Sequence, residues 1–248
     1  MKTIIKKLLK SMGFKLVKTK YLQAKLPKAD IENVEIIVRF HQLLNQKMKV
    51  LQVGACDGQT SDSIFTYIQS GDIEAYLVEP STTNFQLLED FYKNKNDNVT
   101  LIHAAVAEKD EIKDFYSVKD EGRWKNQGWA RQLASFYKEH LINHGILEDE
   151  ITVEQVQCKR LSTLTADYNI KDFDLLLVDT EGYDGEIIKM ALNENITPTF
   201  IAFEYGQIVK FYTQEQINDL YKLLSQKDYV FCHDARNTLA IKKSFFAA

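Results

Sequence analysis

The chain has 248 residues, 45% of them hydrophobic and 27% charged, with a formal net charge of −4. That is enough for one large globular domain, and the mild acidity excludes general nucleic-acid binding, which needs a basic footprint. Cys56, Cys158 and Cys232 are too few and too scattered for a disulfide framework or a zinc site. Such an odd, dispersed set makes a reducing cytoplasm the expected setting, and no apolar run is long enough to span a membrane.

The charge is uneven along the chain. Met1 to Ala29 holds nine lysines and no acid. Ile4, Ile5, Leu8, Leu9 and Met12 share one helical face, and Lys2, Lys6, Lys7 and Lys10 mostly take the other. Two readings stand for this segment, taken as 1–28. It could rest on an anionic membrane surface through residues 2–20, at the inner face of a membrane, or pack on the domain with its lysines in water. Residues 29–248 read as one domain.

A helix is predicted over Ile31 to Leu44, then a strand over Lys49 to Val53. Gly54-Ala55-Cys56-Asp57-Gly58 follows as a turn of small residues. A helix over Thr60 to Ile68 leads to a second strand, Tyr76 to Val78, which ends in Glu79-Pro80. Thr82 to Lys93 reads as a helix, Val99 to His103 as a third strand, and Glu111 to Val118 as a short extra strand. Residues 119–150 break this rhythm and read as a substrate-side insertion. Both tryptophans, Trp124 and Trp129, lie there with Arg123 and Arg131, followed by a helix over Leu133 to His144.

Thr152 to Cys158 alternates like a strand. Leu161 to Tyr168 reads as a short helix, and Phe173 to Val178 as the most buried strand, ending in Asp179. A helix over Asp184 to Leu192 and a strand over Pro198 to Phe203, ending in Glu204, come next. A helix over Gln214 to Gln226 precedes two strands, Tyr229 to His233 and Thr238 to Lys242, joined by a short turn. Alternating strands and helices predict a doubly wound, mostly parallel sheet of seven strands. The closing antiparallel hairpin marks the class I methyltransferase variant of that Rossmann-like fold.

In such sheets ligands bind beyond the carboxyl ends of the strands. Glu79, His103, Asp179 and Glu204 stand at such ends, and buried carboxylates are costly without a partner. The small-residue turn and Glu79 together describe a nucleoside site, with the acid on the ribose hydroxyls. Cys56 stands where a pyrophosphate-binding turn would have its middle glycine, which favours S-adenosylmethionine over a dinucleotide. Asp179 and Glu181 are placed to act on a substrate hydroxyl or to hold a magnesium-like divalent metal. The metal is not favoured, because no second ligand cluster is evident in the sequence. His103 is the second choice of base. Trp124, Trp129, Arg123 and Arg131 could close over a sugar or an anionic group, or the tryptophans could simply pin the insertion.

These motifs resemble the FkbM-type methyltransferases from about Val50 to Lys242. The matching pieces are Val53-Gly54-Ala55 with Asp57-Gly58, Glu79-Pro80-Ser81 with Asn84-Phe85, Ala104-Ala105-Val106, and Asp179-Thr180-Glu181-Gly182 with Glu186-Ile187. The resemblance implies S-adenosylmethionine-dependent O-methylation of sugars, glycan precursors or related metabolites. It implies cofactor contacts at Gly54, Ala55, Asp57, Gly58, Glu79, Pro80, Ala105 and Asp179, and a catalytic site at Asp179 and Glu181. Gln52 departs from the family, many of whose members carry an acid there. Two other classes stay open: a catalytically silent cofactor-binding module of a biosynthetic complex, and a nicotinamide-dependent oxidoreductase.

Overall fold

The computed structural model describes residues 33–43, 46–60, 62–93, 98–233 and 236–246. The lysine-rich segment expected over 1–28 lies outside the described residues. No helix among those described is long and apolar enough to cross a membrane.

Seven strands form the main sheet. They are β1 (Met48–Val53), β2 (Ile73–Glu79), β3 (Val99–His103), β7 (Leu175–Val178), β8 (Phe200–Glu204), β9 (Tyr229–His233) and β10 (Asn237–Lys242). Their order is β3-β2-β1-β7-β8-β10-β9. The first five are parallel, and β10 runs antiparallel to both β8 and β9. This is the predicted seven-stranded class I sheet with its terminal hairpin. The order reverses between β1 and β7, which is where a doubly wound sheet opens a crevice.

The two-residue period of a strand explains the layering. Leu51, Val53, Val78, Leu176, Val178, Ile201 and Phe203 belong to one buried cluster. Their neighbours Val50, Leu77, Leu175, Leu177, Phe200 and Ala202 belong to another. Helices α7 (Asp184–Asn193) and α9 (Gln214–Gln226) pack on the first face through Ile187, Ile188, Leu220 and Leu224. Helices α1 (Asn33–Leu43) and α3 (Thr82–Tyr92) pack on the second through Val34, Ile37, Val38, Leu88 and Tyr92.

A second sheet carries the extra strands: β4 (Ala105–Val106), β5 (Glu111–Val118) and β6 (Ile151–Lys159), in the order β4-β6-β5. The strand predicted over Thr152 to Cys158 therefore joins this small sheet and not the main one. Residues 119–150 leave from the end of β5 and return at the start of β6. They build their own small core from Ala130, Leu133, Leu141 and Ile146, closed by Val118 and Ile151.

Two predicted helices are shorter than their apolar spacing suggests. Among the described residues of the span Thr60 to Ile68, helix is confined to α2 (Phe65–Gln69). Asp57 takes the N–H groups of Gln59 and Thr60, and Asp62 takes that of Ile64, so side chains compete with helical bonding. Of Leu133 to His144 only α5 (Lys138–Asn143) is helical, and a separate helix, α4 (Gly128–Gln132), ends just before that span. Ser135 sits between them in an isolated antiparallel bridge with Tyr116 of β5.

Candidate active site

The turn after β1 begins the site. Gly54 has φ +89°, and a Cβ there would lie 1.8 Å from the carbonyl oxygen of Asp179, so only glycine fits between the two strand ends. Its N–H and that of Ala55 both donate to the Val78 carbonyl, at 2.9 and 3.0 Å, and lock the turn onto β2. Cys56 also has a positive φ, and burial pushes its thiol up, so it is a neutral packing group and not a nucleophile.

Glu79 ends β2 and is 3% exposed. One carboxylate oxygen accepts from the Cys56 N–H and the other from the Ser81 N–H, each at 2.9 Å. Burial raises its carboxyl to about 7, against the pull of those two donors. The Asn84 amide adds a third donor, which leaves one lone pair for a ligand.

The other half of the site lies at the ends of β7 and β8. Glu181 has φ +53°, an uncommon conformation for a residue with a side chain, and such strain collects at functional sites. Its carbonyl accepts from Ser135 Oγ at 2.9 Å, and its Oε2 accepts from Gln207 Nε2 at 2.5 Å. His140, on α5 and 1% exposed, brings Nε2 to 3.0 Å from the same Oε2. Asp184 is fully buried and braces the two strand ends. Its Oδ1 accepts from the Thr180 N–H and hydroxyl, and its Oδ2 from the Glu204 N–H at 3.3 Å. The sequence suggests no more for Asp184 than a favourable charge at a helix start, and this brace is a further role.

Asp179, Glu181 and Glu204 each offer an oxygen, all within 4.8 Å of one another. At such a separation two carboxylates repel by about 3 kcal/mol for an effective dielectric of about 20. The Asp179 side chain opens into the cavity, yet protein encloses it on all sides at longer range. Its carboxyl is held well above the ordinary range, first by this loss of bulk water, then by Asp184, Glu181, Glu204 and Asp62. Glu204 is raised too, by burial and then by Glu181, with Lys210 opposing. The sequence places a metal out of favour for want of a second ligand source; Glu204, from another strand, removes that objection.

These groups line or adjoin one cavity at the switch point, about 860 Å³ of open space including its mouth, within the usual range for small-molecule sites. Of the predicted residues, Gly54, Ala55, Glu79, Pro80, Ala105, Asp179 and Glu181 line it. Three do not. Asp57 turns away, its oxygens taken by Gln59 and Thr60 and its charge faced by Arg131 at 3.6 Å. Gly58 packs against Leu88 and Tyr92. His103 stacks on Phe85 with ring centres 4.4 Å apart and meets the Pro80 carbonyl at 3.2 Å, so it has no position from which to act as base in the cavity.

The insertion contributes differently from expectation. Arg131 lines the cavity, as do Gln132 and Phe136. Arg123 is taken by a two-pronged pair with Glu150, at 2.7 Å for each nitrogen, and lies over the Trp124 ring. Trp124 packs on the insertion's core and meets Trp129 edge to face, and neither ring lines the cavity. His140, Ser135 and Gln207 carry no signal in the sequence, because each reaches Glu181 only through the tertiary fold.

The cavity fits S-adenosylmethionine. Oε1 of Gln52 and Oδ2 of Asp62 are buried without a hydrogen-bond partner, and both residues line it. Two unmatched acceptors suit a cationic amino group, and Asp62 supplies the acid that Gln52 lacks. Fold and site together define a class I S-adenosylmethionine-dependent methyltransferase.

Residues 52–231 match the Methyltransferase FkbM domain, and the chain belongs to that family. No curated protein matches the sequence significantly. Among solved structures the chain is similar to methyltransferase FkbM from Methylobacillus flagellatus KT, at 16% identity and TM-score 0.46, over 79% of this chain and 43% of that one. It is also similar to an O-methyltransferase from Bacillus cereus in complex with SAH, at 12% identity and TM-score 0.42, over 97% and 91% of the two chains. A third likeness is to precorrin-6y C5,15-methyltransferase from Geobacter metallireducens GS-15, at 12% identity and TM-score 0.40, over 88% and 92%. Such distant likenesses assign nothing further; the matched domain carries the family. The nicotinamide reading falls with it.

Proposed function

We propose that the enzyme methylates a hydroxyl of a sugar, glycan precursor or related small metabolite, with Glu181 taking the hydroxyl proton. The carrying observation is that Glu181 opens into the same cavity as Gly54 and Glu79, with His140 Nε2 3.0 Å from its carboxylate.

Bound S-adenosylmethionine supplies a methyl group already activated on a positively charged sulfur. Glu79 would hold the ribose hydroxyls, with its oxygens fixed by two backbone N–H groups. Gln52 and Asp62 would take the amino group. The chain's remaining work is to orient the acceptor and to remove its proton. Orientation is worth about 7–11 kcal/mol in favourable cases.

Glu181 suits the second task better than Asp179, because Gln207 holds its carboxylate and His140 stands beside it. Ser135 and Gln207 fix Glu181 at its carbonyl and its carboxylate. His140 stands next to it and can carry the proton onward. Arg131 and Gln132 face the cavity from the insertion and are placed to read the acceptor.

The test is transfer of labelled methyl from S-adenosylmethionine to a panel of glycans and hydroxylated metabolites. An acceptor methylated at oxygen is expected. Transfer only to nitrogen or carbon acceptors would overturn the hydroxyl assignment.

A further inference from the structure

We propose that Asp179, Glu181 and Glu204 form a divalent-cation site, of the oxygen-preferring kind that magnesium or manganese occupies, beside the cofactor cavity. Cation–oxygen bonds of about 2.0–2.6 Å put opposite ligands about 4–5 Å apart. One oxygen from each of the three carboxylates already falls within 4.8 Å of the others.

A second observation points to the same place. His140 is 1% exposed, and its Nε2 has no hydrogen-bond partner although it lies 3.0 Å from Glu181 Oε2. A buried ring nitrogen left unmatched is costly. A cation on Glu181, or a water held by that cation, gives it a partner. An imidazole beside three carboxylates suits manganese as well as magnesium.

Local charge agrees. Among the described residues no lysine or arginine forms an ion pair with Asp179, Glu181 or Glu204. Lys210, which with His140 opposes the rise of Glu204, has its Nζ donating to Gln207 Oε1 at 3.0 Å.

The site overlaps the cofactor pocket only in part. Asp179 and Glu181 line the cavity, whereas Glu204 and His140 do not. Three protein ligands leave positions open for water and for substrate. Resting on the methyl-transfer reading, this makes the acceptor a chelating one, with two neighbouring oxygens such as a vicinal diol or a hydroxy acid. A coordinated hydroxyl loses its proton more readily, so the cation and Glu181 would act on the same oxygen.

The experiment is Mn²⁺ uptake by the whole chain without cofactor, read from the loss of the free-ion paramagnetic resonance signal. One Mn²⁺ per chain is expected, displaced by excess Mg²⁺. Glu204→Gln and Glu181→Gln should each weaken binding by about tenfold or more, and His140→Gln by about 10–100-fold. Glu204→Gln should keep wild-type affinity for S-adenosylmethionine, which reports an intact fold. If it does not, Glu204→Asp carries the test, because it keeps the charge, withdraws the oxygen and must still weaken Mn²⁺. No uptake by the wild type, or uptake unchanged in the glutamate variants, would overturn the site. So would one-for-one displacement of Mn²⁺ by S-adenosylmethionine, which would make the cluster the counter-charge of the sulfonium. The methyl-transfer reading is judged separately, by cofactor binding and label transfer.

Discussion

The two acidic rims of the cavity are built in opposite ways. At the end of β2, Glu79 stands alone, with a backbone N–H on each oxygen. At the ends of β7 and β8, Asp179, Glu181 and Glu204 crowd together, and the Asp179 side chain takes no hydrogen bond from any described residue. The first rim is complete before a ligand arrives and can bind by shape. The second is short of positive charge and is suited to chemistry that brings a cation or removes a proton. Binding and turnover should therefore separate by rim.

The sharpest break in that comparison is Glu181→Gln. Turnover should fall by about 10²–10⁴-fold, the usual share of a positioned base, with cofactor Kd within a few fold of wild type. Single-turnover kinetics with parallel calorimetric titration reads both. Turnover near normal would remove Glu181 as base.

Glu79→Gln should do the reverse. Hydrogen bonds to a charged group are worth about 1.5–3 kcal/mol, so cofactor affinity should drop by about 10–100-fold, with kcat at saturation much less affected. Unchanged affinity by titration would break the ribose assignment.

A smaller effect is shared by both rims. Burial lifts Glu79 and Asp184 to about 7 and Asp62 to about 6, from ordinary values of 4.5, 3.8 and 3.8. Each group holds its proton more tightly folded than unfolded. Their contribution to stability is thus fully present below about pH 4 and is lost as pH rises towards about 7. Calorimetry of the cofactor-free chain should show Tm falling across that window. Glu79→Gln should flatten part of the slope; a slope identical to wild type would remove Glu79 from this account.

Least of all should follow from Trp129→Ala. Trp129 is 47% exposed and lines no part of the cavity. Stability should stay within about 0.5 kcal/mol of wild type, and kcat/KM should not change. A large loss of kcat/KM would restore a substrate role to the tryptophans.

The main sheet was legible in the sequence because its strands are buried on both faces and read as short apolar runs between turn residues. Gly54, Glu79 and Asp179 were legible because strand ends mark the ligand crevice of such a sheet. Asp57 and Gly58 looked alike to these in the motif, but local hydrogen bonding turns one away from the cavity and helix packing claims the other. His140, Ser135 and Gln207 had no local signature. His140 and Ser135 stand more than thirty residues from Glu181 along the chain, and only the insertion's small core brings them to it. The break at Ser135 was equally hidden, since the spacing from Leu133 to His144 suits a helix and the competing bridge comes from β5.

That bridge has a wider consequence. Ser135 exchanges two backbone hydrogen bonds with Tyr116, and its hydroxyl donates to the Glu181 carbonyl while accepting from the Tyr137 N–H. One small residue, through its backbone and its hydroxyl, thus ties the outer sheet, the insertion and the reactive loop into a single register. Replacement of residues 119–150 by a different loop, as in grafting acceptor specificity from a relative, would carry the alignment of Glu181 with it. The natural unit of exchange is therefore the insertion together with β5, β6 and the Asp179–Gly182 turn.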